Sequence, residues 1–499
     1  MRIPAEANRF AAQSLVSRLG QSREGLPPTT DKEWLLLLLI TCLAGVLRTV
    51  QLTARGLNLD EGFSVFLAQT SGANFVGLIW RSELNMALYY ALLRVWVHFG
   101  HSELVIRLFS VLLATATVPA VYFLGKRLFD GRTGLIAGLL LAVHPFHFAL
   151  AQTARSYALV ILMVCLASLF FLRGLSCPSA GNWTGYAFFA AVAVYSHFFA
   201  LLVIVAHVAS LAFLPRRSVP WKWLLMAWSL LAVLLLPVAV FLVGHRDAAN
   251  VAWVGALSFE QAKYVLYSLT LSKSRWFAYA AAWAMAAWYT FRRRAGQSAW
   301  PFWFTASWLV VPPAITIAGS LLQPMLVERY LAICIPAAVL SAAGGIARVA
   351  QRRLIVGGGL LLLILFYSVS NIRFYIRQAG FDENWREATA FVMAGAHSGG
   401  EVVIVEGLPR LVFDYYRQAS ATTVPDLVIV GTADAPLPNP APENVWFVGS
   451  MRLKPNWEDE AHRFRELHRQ DYCSVASEPV TGPIKVWQFR RCDPGSGTP

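Results

Sequence analysis

The chain has 499 residues, a formal net charge of +14, 57% hydrophobic residues and only 14% charged ones. Soluble domains carry about a quarter charged residues, and here the apolar residues fall in long blocks instead of alternating, which excludes an ordinary soluble enzyme. The positive charge does not indicate nucleic acid, because it lies in short loops between apolar blocks and forms no basic face or stripe.

Residues 1–33 are polar and read as a cytoplasmic N-terminal segment. The first apolar block, WLLLLLITCLAGVLRTV at 34–50, approaches the span of about 20 residues that crosses a bilayer core. No small-residue cleavage site follows it, so it reads as an anchor and not as a removable signal. Similar blocks lie near 104–124, 133–150, 157–173, 184–214, 223–243, 275–291, 302–321, 330–347 and 354–370. The 184–214 block is too long for one span and divides best at His197. The expected architecture is an α-helical polytopic membrane protein with about eleven transmembrane helices. Basic residues cluster in every second loop: Lys126, Arg127 and Arg132; Arg216, Arg217 and Lys222; Arg292, Arg293 and Arg294; Arg348, Arg352 and Arg353. The positive-inside rule then puts the N-terminus in the cytoplasm and the C-terminus outside, in a cell inner (plasma) membrane. Arg48 and Arg55, just beyond the first span, are minor exceptions.

The transmembrane module is expected over 34–370, with a long exported loop at 51–103. That loop carries QLTARGLNLDEGFSVFLAQT, in which Asp60 and Glu61 are adjacent acids close to the end of the first span. Two readings stand: a solvated loop, or a site where Asp60 takes a proton from an acceptor hydroxyl. The segment RSELNMALYYALLRVWVHFG that follows is amphipathic and aromatic-rich but short, and reads as a helix lying on the membrane surface. Glu83 opens it, either as an acid favoured by the helix dipole or as a group that holds a cation or orients an acceptor. Gly357, Gly358 and Gly359, and the pair Gly134 and Gly138, are read as helix-packing residues.

Residues 371–499 are polar and form an expected small exported α/β domain. Strand-like runs occur at 401–407, 426–432, 444–450 and 484–489, with helix-like segments at 382–397 and 456–468. It has no Gly-rich phosphate motif and no metal-ligand cluster, and reads as support or acceptor docking. Of six cysteines, Cys473 and Cys492 fall in this tail, where an oxidising compartment permits a disulfide that spacing alone does not establish.

The order of these features resembles the GT-C glycosyltransferases of the PMT/ArnT-like group (glycosyltransferase family 39). The resemblance rests on the exported Asp-Glu after a first span, an acid before Tyr-Tyr, SELVIRLFSVLLATATVPAVYFLGKRLF, HPFHFALAQTARSYAL at 144–159, YSHFFA at 195–200 and ERYLAICIPA at 328–337. It covers roughly residues 34–347. Two positions depart from it: Asn85, Met86 and Ala87 stand where many members have a proline-containing run, and Thr153 replaces a glutamate.

The resemblance implies transfer of a sugar from a polyprenyl-phosphate donor to a lipid, protein or polysaccharide acceptor at the exported face, among membrane lipids and with no nucleic acid partner. It places Arg155 and Arg329 on the donor phosphate, where a planar guanidinium binds two oxygens. Each arginine is otherwise an interfacial anchor or ion-pair partner. Tyr157, Tyr330 and Tyr195 stand at the same level, as donor contacts or as an aromatic belt. Gln152 either binds the donor or caps its turn. His197 either joins Glu83 on a divalent metal ion, the one cofactor considered, or assists the leaving phosphate, or is a satisfied histidine at a helix turn. His144 and His147 are secondary candidates. The implied reaction is one inverting displacement, with Asp60 as base and Glu61 as its support. A lipid or sugar transporter is the alternative; inverted repeats would favour it, and none is visible in the sequence.

Overall fold

The computed structural model describes residues 29–244, 254–270, 272, 275–292, 299–378, 383–396, 401–405, 407–419, 428–430, 436–439, 441–450, 457–479 and 483–492. Expectations on residues 1–28, Arg293, Arg294 and Glu406 lie outside that set, as do the ends of the tail segments expected at 382–397 and 426–432 and the first residue of that at 456–468. The described residues fall into two compact units. One takes those within Met1–Val50, Ser71–Trp96 and Arg107–Arg373, the other those within Gln51–Thr70, Val97–Ile106 and Phe374–Pro499.

Each apolar block is helical. The helices are Asp31–Thr49, Glu103–Leu128, Gly131–Ala142 with Pro145–Ala151, Tyr157–Ser176, Ala180–Ser196, Ala200–Leu211, Trp221–Leu234 with Leu236–Gly244, Phe277–Phe291, Trp300–Ser320, Ile335–Ala350 after the 3-10 segment Glu328–Cys334, and Leu354–Arg377. Among the described residues, five are long and apolar enough to cross a membrane, or up to seven if each bent pair counts as one span. Helices Ala180–Ser196, Ala200–Leu211 and Phe277–Phe291 have 17, 12 and 15 residues, short of a full crossing alone. The long block does break at His197, where the backbone turns extended at φ −168° and ψ 128°.

Local chemistry sets the ends and bends. Thr30 and Glu33 close a capping box at the start of the first helix, and Glu33 also binds the buried Lys126 ammonium at 3.1 Å. Pro145 opens its helix after a 60° bend from Gly131–Ala142, since proline suits a first turn but cannot continue the preceding ladder. Packing is close at Gly134, where a β-carbon would stand 2.5 Å from the Tyr122 carbonyl oxygen. Of the glycine triplet only Gly357 packs tightly, its β-carbon position lying 2.6 Å from Ala350 N, whereas Gly358 and Gly359 face open space. The expected surface helix is interrupted by a π-helical turn at Ile79–Glu83 and a 3-10 turn at Leu84–Met86, before the α-helix Ala87–Trp96.

The second unit contains a five-stranded sheet: β1 (Val402–Ile404), β2 (Val428–Val430), β3 (Asn444–Ser450), β4 (Tyr472–Pro479) and β5 (Ile484–Arg491). The order is β2-β1-β3-β5-β4, with β1 parallel to β2 and β3, and β5 antiparallel to β3 and β4. The fully buried β3 runs through the centre, and Val402, Ile404, Val445, Phe447, Phe464 and Phe489 build the core on one face. The sequence reading missed β4, whose run YCSVASEP is weakly apolar, and the helix Leu408–Ala419. Cys473 and Cys492 are bonded, with Cα atoms 5.3 Å apart.

Candidate functional site

The membrane unit holds a polar cluster at two helix breaks. The chain leaves helix Pro145–Ala151 at Gln152 and re-enters helix at Tyr157, which leaves Arg155 in the turn. Arg155 is only 9% exposed, and its Nη1 donates to Tyr90 Oη at 3.0 Å. Tyr90, fully buried, donates to Glu83 Oε2 at 3.3 Å, with Met86 Sδ a weaker acceptor at 3.7 Å. Glu83 thus reaches Arg155 through a tyrosine hydroxyl, which accounts for an acid at the end of the π-helical turn.

The second break carries His197. Its Nδ1 accepts from the Phe199 amide at 3.3 Å, so the proton of a neutral ring sits on Nε2. That Nε2 is buried with no hydrogen-bond partner among the described residues. The ring centroid lies 4.8 Å from that of Tyr330 and 6.0 Å from that of Tyr157. Both the Arg155 and Arg329 guanidiniums are within electrostatic reach of it. The turn is tied down by Asn85, whose Oδ1 accepts from Phe198 N at 2.8 Å. Sequence reasoning read Asn85 only as a departure from a proline pattern; its amide in fact joins the Glu83 turn to the His197 turn.

Arg155, Arg329, Tyr157, Tyr330, Glu83 and His197 are therefore brought together, as a cluster of two cations, aromatic rings and the unengaged Nε2–H of His197. Such a site suits an anion, since a buried N–H without an acceptor is destabilising by about 1–3 kcal/mol until something accepts from it. A cavity of 390 Å³ in the same unit, lined by Glu260, Gln261, Tyr264, Tyr267 and Glu328, reaches the residue preceding Arg329. Tyr195 stands apart from the cluster's hydrogen bonds, donating to the Leu234 carbonyl at 2.9 Å. Among the described residues no three His, Cys, Asp or Glu side chains group together. Glu83 and His197 alone fall short of the three protein ligands usual for a bound zinc, so no step is routed through a metal.

The Gln152 side chain serves a helix end other than its own turn: its Nε2 donates to the Arg48 and Val50 carbonyls, at the end of the first helix, at 3.1 and 2.8 Å. Arg48 corrects the reading of a residue outside the span. It lies within the first helix, fully buried, and donates to the Ala44, Leu141 and Ala142 carbonyls and to His147 Nδ1. No charge pattern in the sequence marks it, because its acceptors are backbone carbonyls from a distant helix end.

In the second unit Asn58 caps the helix Leu59–Gln69, whose first turn contains both acids. Glu61 is buried, and its carboxylate accepts from the Asn58 amide at 3.1 Å while Asn58 Oδ1 accepts from Glu61 N at 2.9 Å. This is a capping box, and it makes Glu61 a structural support. Asp60 sits one residue earlier in the turn and is half-buried.

Residues 86–243 match the model of the family described as dolichyl-phosphate-mannose-protein mannosyltransferase. No curated protein sequence matches the chain. Among solved structures, ArnT from Cupriavidus metallidurans bound to undecaprenyl phosphate is 14% identical, covering 92% of this chain and 98% of its own, with a TM-score of 0.60. The same protein in the apo state is 15% identical, covering 90% and 97%, at 0.60. The archaeal oligosaccharyltransferase AglB from Archaeoglobus fulgidus, in complex with an inhibitory peptide and a dolichol-phosphate, is 12% identical, covering 94% and 75%, at 0.53. The fold is therefore that of the GT-C membrane proteins, and the chain is a multi-pass membrane protein.

Proposed function

We propose that this protein is a membrane glycosyltransferase that moves a sugar from a polyprenyl-phosphate donor to an acceptor hydroxyl or amide at the exported face of the inner membrane. The observation that carries this is the buried, unengaged Nε2–H of His197 in a cluster with Arg155 and Arg329. A lipid phosphate is an anion that must be met at a membrane boundary, and ionisable residues within membrane segments are functional candidates by default. Two arginines and an imidazole N–H supply charge-assisted donors to its oxygens. The family match over 86–243 and the lipid phosphates bound by ArnT and AglB support the same class of donor. The inhibitory peptide on AglB makes a peptide one of the acceptors to test.

In this reading the acceptor atom attacks the anomeric carbon, the bond from that carbon to the phosphate oxygen breaks, and the configuration inverts. The acceptor proton passes to the Asp60 carboxylate. The leaving phosphate gains one negative charge, which Arg155, Arg329 and His197 stabilise. Tyr90 orients Arg155, and Glu83 orients Tyr90. The Glu, Gln and Tyr lining of the 390 Å³ cavity offers acceptors and donors suited to sugar hydroxyls. The alternation of basic loops supports an exported second unit.

The test uses purified protein in vesicles with undecaprenyl-phosphate-linked hexoses and pentoses, together with a membrane envelope extract as acceptor source. Release of undecaprenyl phosphate with at least one donor, lost in Arg155→Ala, is expected. No release from any donor, with undecaprenyl phosphate failing to bind, overturns the reading.

A further inference from the structure

We infer that the helices Trp385–Gly395 and Leu408–Ala419 form the positioning frame for Asp60, acting through Arg386 and Tyr416; this rests on the general-base reading of Asp60. All the residues concerned belong to the second unit. The segment leading into the Asp60 helix has no regular structure between Ala54 and Asn58. Its backbone groups must therefore find other partners, and the two helices supply them. Arg386 Nη2 donates to the Thr53 carbonyl at 2.8 Å and to the Arg55 carbonyl at 3.3 Å. Tyr416 Oη accepts from the Leu57 amide at 2.6 Å. Asn58 then caps the helix, and Asp60 follows two residues on.

These two anchors are themselves fixed by one carboxylate. Arg386 Nε donates to Glu103 Oε1 at 2.9 Å, Arg386 Nη2 pairs with Glu103 Oε2, and Tyr416 donates to Glu103 Oε1 at 2.5 Å. The tyrosine thus has a defined direction: its proton goes to Glu103, so its lone pair faces the Leu57 N–H. A contact at Gly62 completes the seat. A β-carbon there would stand 2.3 Å from Val412 Cγ2, so the Asp60 helix lies directly against the Leu408–Ala419 helix. Sequence separation hides the arrangement, since Leu57 and Tyr416 are 359 residues apart. The tail read as a support or docking domain is on this account part of what sets the base.

A base is effective only if held within hydrogen-bond reach of the proton it takes, and a misplacement near 1 Å lowers rate by on the order of 100-fold. Arg386 and Tyr416 touch no reacting atom and are positioning residues. The experiment measures amide hydrogen exchange and turnover on the full-length protein in vesicles, using the undecaprenyl-phosphate donor found active above. In Tyr416→Phe, exchange at Leu57 should quicken at least ~10-fold while the Gly131–Ala142 helix keeps its protection. Turnover should fall ~10-fold or more with donor KM unchanged, and the acid limb of its pH profile should move. Arg386→Lys should retain more turnover than Arg386→Ala. Gly62→Ala should lower turnover, and adding Val412→Ala should restore it. Unchanged Leu57 exchange in Tyr416→Phe overturns the inference, as does faster exchange with wild-type turnover and pH profile. If instead Asp60→Asn transfers sugar at the wild-type rate, it is the general-base reading that falls, whatever the exchange data show.

Discussion

Gln152 and Arg48 together serve two helix ends: the Gln152 amide donates to the Arg48 and Val50 carbonyls at 3.1 and 2.8 Å, and the Arg48 guanidinium donates to the Leu141 and Ala142 carbonyls that end helix Gly131–Ala142, both at 3.2 Å. The last carbonyls of a helix lack internal partners, and inside a bilayer no water replaces them. These contacts hold the bent segment that ends at the Arg155 turn. Gln152→Leu and Arg48→Met should each lower thermal stability in detergent, by about 1–3 kcal/mol per carbonyl left unpaired. The double variant should lose less than the sum, because the two side chains serve one junction. Strict additivity would show two independent contacts.

Arg155 and Arg329 should carry donor binding. Alanine at either position should weaken undecaprenyl phosphate binding by about 30-fold or more, the scale of a lost charge-assisted contact in a dry site. Lysine should recover part, since it keeps the charge and loses the fork. Tyr90→Phe should have a smaller effect in the same direction, because it removes the hydroxyl that accepts from Arg155 at 3.0 Å without removing the cation. Binding of radiolabelled undecaprenyl phosphate to vesicles checks all five; wild-type affinity in Arg155→Ala removes that residue from the site.

His197 separates the anion reading from a purely structural one. His197→Phe keeps a ring among Tyr157, Phe199 and Tyr330 but has no Nε2–H. Phosphate affinity should drop by roughly 10-fold, one hydrogen bond to a charged group, while unliganded stability changes little, since removal of the buried Nε2–H without an acceptor offsets loss of the Nδ1 acceptor for the Phe199 amide. Lower stability with unchanged affinity would show a satisfied histidine instead.

Asp60 and Glu61 should part company under mutation. Asp60→Asn keeps size and hydrogen bonding but cannot accept a proton, so turnover should fall about 10²–10⁴-fold with donor binding kept. Glu61→Gln keeps an acceptor oxygen for the Asn58 amide and should reduce stability by no more than about 1 kcal/mol, with turnover reduced far less. Both quantities are to be measured on one purified sample; full specific activity in Asp60→Asn would falsify the base.

Tyr416 gives the second unit an alkaline limit. Burial first, and the Glu103 carboxylate second, push its phenol above the ordinary value near 10. A raised folded pKa contributes stability that is present below pH about 10 and is lost as pH rises beyond it. Melting temperature should therefore decline from pH about 10 upward in the wild type and more gently in Tyr416→Phe. Parallel curves for the two proteins would mean that other groups set the limit.

Composition and apolar block length were enough to identify a polytopic helical protein, because a bilayer demands long apolar helices whatever they pack against. Motif order exposed the GT-C fold, and adjacency exposed the Asp60–Glu61 pair. Residue type also marked Arg155, Arg329 and His197 as boundary groups worth attention. What tertiary structure decided is how each of these is used. Glu61 and Gln152 turn inward to cap backbone groups, which depends on local helix ends only a folded chain defines. The Glu83–Tyr90–Arg155 relay, the Asn85 tie to Phe198 and the burial of Arg48 join residues from different helices, and no periodicity records such pairings. The Glu103–Arg386–Tyr416 frame spans some three hundred residues of sequence. Hydrogen bonds of this kind are specified by where two backbones happen to meet, and that is a property of packing, not of either segment alone.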